Sequence, residues 1–165
     1  MPTGLRSIFR PIATMGSRKI SARHAIAAAA TTACLAVLPV AVPTAAHAAG
    51  GSCWGGPTVK DYAGRVFASR TCPTWTEALV MDDRWPTSPA IGRLFAANNW
   101  MVCQAVGRDN PQLGGGRNTY WVYTQGDVSY SDKNGWGWVP ATAFTYGGDW
   151  QPIPGVPLCA AGFNG

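Results

Sequence analysis

Four cysteines, Cys53, Cys72, Cys103 and Cys159, are spread through the chain after residue 49, with no Cys-x-x-Cys pair among them. Both histidines, His24 and His47, lie upstream of all four. A structural zinc site draws on Cys-x-x-Cys pairs or histidines, and this region has neither. The other use of an even cysteine count in a short chain is a set of disulfides, which needs an oxidising compartment. Four cysteines allow three pairings. Chain order favours Cys53–Cys72, pinning an N-terminal segment, and Cys103–Cys159, tying the tail to a central strand.

The front of the chain supplies the route to such a compartment. Arg6, Arg10, Arg18, Lys19 and Arg23 fall in the first 24 residues, with no acidic residue beside them. An apolar stretch runs from Ala25 to Val42, and Ala46-His47-Ala48 has the small-x-small pattern that signal peptidase accepts. A membrane-spanning helix wants about 20 strongly apolar residues. This stretch is mostly alanine and is interrupted by Thr31, Thr32 and Pro39. Residues 1–48 therefore read as a cleaved secretory signal, with Met15 as an alternative start, and residues 49–165 as one exported domain. Thr31-Thr32-Ala33 lacks the leucine-like residue that would mark Cys34 for lipid attachment, and no Arg-Arg pair marks a twin-arginine route.

Losing the leader changes the charge. The chain has 13 Lys and Arg against 8 Asp and Glu. Five of those cations leave with the signal and every acid stays, so the remainder is close to neutral. A basic field for nucleic acid is excluded. The acids also lack the spacing of an EF-hand loop, so no calcium site is expected. No metal and no cofactor is expected.

Aromatics crowd the same region: all eight tryptophans and all five tyrosines follow residue 49. Scattered glycine and proline favour short strands joined by turns. The best strands are Gly64–Arg70, Asn99–Val106, Asn118–Thr124, which holds Tyr120-Trp121-Val122-Tyr123, and Gly135–Ala141, which places Trp136 and Trp138 on one face by period two. Thr74–Trp85 reads as loop with a short strand at Ala78–Met81. Asp109-Asn110-Pro111, Gly126-Asp127 and Lys133-Asn134-Gly135 carry turn chemistry. The expected fold class is all-β, a small barrel of about five short strands stapled by two disulfides.

Within this region, Pro86–Gly107, Leu113–Asn118, Tyr120–Asp127 and Gly135–Phe144 occur in an order that resembles a bacterial SH3-like (Src-homology-3-like) domain of small secreted actinobacterial proteins. The pieces that carry the resemblance are Ile91-Gly92-Arg93-Leu94, Cys103-Gln104, Trp121-Val122-Tyr123 and Gly137-Trp138-Val139-Pro140-Ala141. The tail Pro152–Cys159 resembles the cysteine-bearing ending of such proteins. The resemblance implies a non-enzymatic binding module at the cell envelope, with a peptidoglycan stem or cross-bridge peptide as its ligand. Eukaryotic relatives place a groove tyrosine three residues after the Val-Pro proline; here that position is Ala143, followed by Phe144. The link Asp127–Gly135 is longer as well.

Chemistry has little to work with. Without histidine after the leader and with its cysteines oxidised, the domain has no Ser-His or Cys-His nucleophile. A glycosidase needs two carboxylates placed about 5–10 Å apart around a cleft, and Asp82-Asp83 reads as solvated surface. The binding candidates are Trp121, Tyr123, Trp136 and Trp138, as a stacking platform for sugar or proline rings, together with Tyr130 in a polar loop. Each strand aromatic has a second reading as core, because the domain has few Leu and Ile to fill one. Trp150 reads as exposed, and Trp54 as the cover of a disulfide. The partners implied are a cell-wall peptide or glycan, or else an extracellular protein docked through the loop Asn110–Asn118. The mature form is expected outside the cell and not membrane-spanning.

Overall fold

A computed structural model describes residues 50–165; the expected signal lies outside them. Among the described residues there are nine strands and two single-turn 3-10 segments, at Leu113–Gly115 and Ala141–Ala143. The strands are β1 (Trp54–Lys60), β2 (Val66–Pro73), β3 (Ala78–Met81), β4 (Ala90–Leu94), β5 (Asn98–Met101), β6 (Cys103–Val106), β7 (Tyr120–Gln125), β8 (Val128–Ser129) and β9 (Trp136–Pro140). None of the described residues forms a helix long and apolar enough to cross a membrane.

The all-β class holds, and the barrel of about five strands does not. The strands form two antiparallel sheets, one in the order β1-β2-β5 and the other β6-β7-β9-β3-β4-β8, which are not closed into a barrel. Four features account for the higher count, the first being β4, which pairs with β3 over Ala90–Leu94 and is not among the expected strands. β1 holds Gly55-Gly56-Pro57, a poor strand sequence, and pairs with β2 through an irregularity between Gly55 and Thr58. There the Ser69 hydroxyl donates to Pro57 O and fills the gap in the ladder. The single run expected over Asn99–Val106 divides at Val102. Residues before it pair with β2, while those after it pair with β7. One stretch of chain thus serves both sheets. β8 has two residues and is defined by its pairing with β4 rather than by any pattern of its own.

The expected turn at Lys133-Asn134-Gly135 is present. Asn134 and Gly135 take positive φ (50° and 77°), and Trp136 N–H donates to Lys133 O. Gly137, between the two tryptophans of β9, is required by close approach: a Cβ there would lie 2.5 Å from Met81 O on β3.

β7 and β9 are covered on both faces, and each face has its own chemistry. Val122 and Val139 join an aliphatic cluster with Val80, Ile91, Leu94, Met101, Phe144 and Ile153. Trp121, Tyr123, Trp136 and Trp138 point the other way, into an aromatic cluster with Met81 and Val102, closed by Val59, Phe67, Trp100 and Phe163. The period-two reading of β9 is therefore correct, but both of its faces are interior.

The disulfides are Cys53–Cys72 and Cys103–Cys159, the pairing that chain order favours. They close loops with sequence separations of 19 and 56, which by loop entropy stabilise the fold by about 3 and about 4 kcal/mol. Gln104, beside Cys103, holds the same tail. Its Oε1 accepts Ile153 N–H at 2.7 Å, and its Nε2 donates to Ile153 O and Val156 O.

Candidate ligand cleft

Trp75, Glu77 and Leu79 alternate outward as the chain enters β3, while Thr74, Ala78 and Val80 turn inward. Leu79 sits opposite Arg93 of β4 and is 49% exposed. Together with Pro86, Pro111, Leu113 and Pro140, they line a cleft of about 280 Å³. Trp121, itself without exposed surface, backs the cleft, its Nε1 donating to Arg108 O. The walls are apolar and the two charges, Glu77 and Arg93, have opposite signs. Among the described residues neither makes an ion pair, so both remain available to a ligand.

The far wall is formed by Pro111 and Leu113 of the segment Asn110–Asn118, whose two ends are pinned. Asn110 N–H donates to Asn118 O, and the Thr142 hydroxyl donates to Pro111 O. Arg117 N–H reaches Asp149 Oδ1, and Trp150 N–H reaches Arg117 O. Asn110 is buried; its Oδ1 accepts Thr142 N–H, while its Nδ2 has no partner among the described residues. Trp75 extends the apolar surface beside this wall. It is held by its Nε1 bond to Thr142 O at 3.0 Å, with nearly half of its surface open. A preformed apolar cleft with a few placed polar groups is the ordinary form of a small ligand site.

The residues expected to bind are distributed differently. Trp121 backs the cleft, whereas Tyr123, Trp136 and Trp138 form no open platform: their exposures are 0%, 2% and 0%. Tyr123 lies with its ring centroid 5.3 Å from both tryptophans, and Trp100 adds to the stack on Trp136. With so little leucine and isoleucine, the domain fills its interior with rings. Tyr130 is half exposed beside β8, away from the cleft lining, and Trp150 is exposed as expected. Trp54 is 46% exposed. Leu79, Arg93 and Glu77 were missed from the sequence. The signal that could have found them is the outward alternation of Trp75, Glu77 and Leu79 on a segment otherwise read as loop.

A charged knot closes the far end of the aromatic cluster. The Asp61 carboxylate has no exposed surface, and it accepts Ala63 and Arg65 N–H on Oδ1 and the Arg65 Nε–H on Oδ2 at 2.6 Å. The Tyr123 hydroxyl donates to the same Oδ2 at 3.3 Å. Burial, and then the neighbouring Asp61 charge, push the Tyr123 phenol well above its ordinary pKa. Burial acts against the Arg65 charge, but the bond to Asp61 and its negative charge outweigh that, and the Arg65 pKa rises.

No family model, no curated protein and no solved structure matches this chain.

Proposed function

We propose that this chain is an exported, non-enzymatic binding module of SH3-like kinship that works at the cell envelope. In this reading the cleft between β3–β4 and the Asn110–Leu113 wall takes a short cell-wall peptide. One observation carries the proposal: an apolar trough that holds one carboxylate and one guanidinium, Glu77 and Arg93, neither in an ion pair among the described residues. A stem or cross-bridge peptide offers the matching groups, with an ammonium for Glu77, a carboxylate for Arg93, and small apolar side chains for the trough. Charge-assisted bonds to these two groups would fix the register, and the apolar floor would supply contact area.

Two further observations support binding over catalysis. All four cysteines after the leader are in disulfides, so no thiol is left as a nucleophile. The deepest carboxylate, Asp61, has both of its oxygens occupied by structural bonds. The disulfides also fit an oxidising location outside the cell. Co-sedimentation with purified cell walls tests the proposal. Protein with both bridges formed is expected in the pellet and is expected to be released by soluble stem peptide. Folded protein that stays in the supernatant would shift the assignment to a soluble protein partner.

A further inference from the structure

We propose that the aromatic face of β7 and β9 is a second binding site, for a short peptide segment bearing one aromatic side chain, and that the chain's own residues 160–165 occupy it in cis. These residues belong to no strand. Cys159 N–H makes the last ladder-like bond, to Gln104 O, and beyond it the backbone makes one internal turn, from Phe163 N–H to Ala160 O. The chain after Cys159 is therefore a tethered segment, held to the domain by side chains.

Its grip has the form of peptide recognition. The Phe163 ring stands edge-on to Tyr123 at 4.9 Å, to Phe67 at 5.9 Å and to Trp138 at 6.0 Å. The Arg65 guanidinium lies over it, 4.8 Å from the ring centroid. The two carbonyls that follow meet side-chain donors, Trp138 Nε1 to Asn164 O and the Tyr62 hydroxyl to Gly165 O, both at 3.4 Å. An aromatic anchor in a pocket of rings, followed by carbonyls met by indole and phenol donors, is complementary to a peptide of any origin. Four neighbours of the anchor, Ala160, Ala161, Gly162 and Asn164, are exposed, so the anchor and the backbone carry the contact. Both long bonds and the lack of strand pairing place this segment at the loosely held end of the fold. The Cys103–Cys159 bridge keeps it close when it lifts, at an effective concentration on the order of millimolar. A competing peptide must overcome that local concentration. The site is thus closed to weak ligands and open to strong ones.

The test uses the full chain, oxidised, and the blocked hexapeptide Ala-Ala-Gly-Phe-Asn-Gly as probe, read by tryptophan fluorescence and calorimetry. Phe163→Ala is expected to bind the hexapeptide about tenfold or more tightly than the unaltered chain does, and a probe with Ala in place of Phe is expected not to bind. Gly165→Val provides a second route. Gly165 has φ +91° and a Cβ there would lie 3.0 Å from both Trp138 Nε1 and Tyr123 Cε2, so the substitution pushes the segment's end off these rings, with unchanged near-ultraviolet dichroism as the check that the interior keeps its packing. It too is expected to gain hexapeptide binding. Folded Phe163→Ala that does not bind the probe would overturn the proposal. So would unfolding of Phe163→Ala together with no gain in Gly165→Val, since the tail would then be an ordinary part of the core. A dimer that exchanges tails in the unaltered chain would overturn occupancy in cis.

Discussion

Tyr123 and Trp138 face each other across β7 and β9, ring centroids 5.3 Å apart, and neither has any exposed surface. The pair is the centre of the aromatic core, and its environment differs from what an exposed stacking platform would need. Trp138→Ala removes the indole from a site closed by Tyr123, Phe163 and the Arg84 guanidinium, 5.0 Å from its ring. Truncating a buried tryptophan costs about 3–5 kcal/mol. Urea unfolding monitored by far-ultraviolet dichroism is expected to show a loss of that size. A loss below about 1 kcal/mol would mean that the ring is exposed in solution.

Tyr123 also gives the fold a pH dependence with a definite sign. Its pKa is raised in the folded state, so the unfolded chain releases this proton first, from about pH 10 upward. The stability it contributes is intact below that pH and is lost as pH climbs toward the folded value. Denaturant midpoints measured from pH 8 to pH 11 are expected to fall above pH 10. The fall is expected to be shallower in Tyr123→Phe.

Asp61 organises the turn after β1 through four donors on one carboxylate. Asp61→Ala strands the Arg65 guanidinium beside Tyr123 and leaves the Ala63 and Arg65 amides without their acceptor. Breaking a pair of this kind costs about 3 kcal/mol at the buried end of the range, and less here because Arg65 is 37% exposed. Asp61→Asn, which keeps the shape and one acceptor, is expected to fall between the two. Equal stability of all three forms would show that the knot contributes nothing.

Gln104 carries the tail in the same way that Asp61 carries the turn. Gln104→Ala is expected to cost about 1–3 kcal/mol, since the buried Ile153 N–H loses its acceptor. Gln104→Glu is expected to be worse, because a carboxylate would face two carbonyl oxygens in place of the Nε2 donor. Mass mapping should still find Cys103 bonded to Cys159 in both variants. Scrambled bridges would show that the side chain sets the pairing rather than only stabilising it.

How much of this was legible in the sequence depends on range. The disulfide pairing, the turn at Lys133–Gly135 and the short strand at Ala78–Met81 are local or ordinal features, and residue type with chain order reports them. β1 was not legible, because Gly55-Gly56-Pro57 has no strand propensity and is held in place by β2. The division of one run into β5 and β6 was hidden as well: nothing about Val102 says that its neighbours belong to different sheets. Period two correctly set Trp136 and Trp138 on one face. Whether that face met water depended on Phe67 and on Phe163, 25 residues beyond Trp138, which no local pattern reveals. The cleft brings together Leu79, Arg93, Pro111 and Pro140 by tertiary pairing, and only the outward alternation of Trp75, Glu77 and Leu79 hinted at it.

The most direct measurement is co-sedimentation of the oxidised protein with purified cell walls, comparing the unaltered chain with Leu79→Asp and Tyr130→Ala. Leu79 is exposed on the cleft and not part of either core cluster, so its replacement leaves the fold intact while placing a charge on the apolar floor. The prediction is that the unaltered chain and Tyr130→Ala pellet alike, while Leu79→Asp loses about tenfold or more in apparent affinity, as expected for burying an unpaired charge. Equal sedimentation of folded Leu79→Asp, or no sedimentation of any of the three, would contradict the assignment of this cleft to a cell-wall ligand.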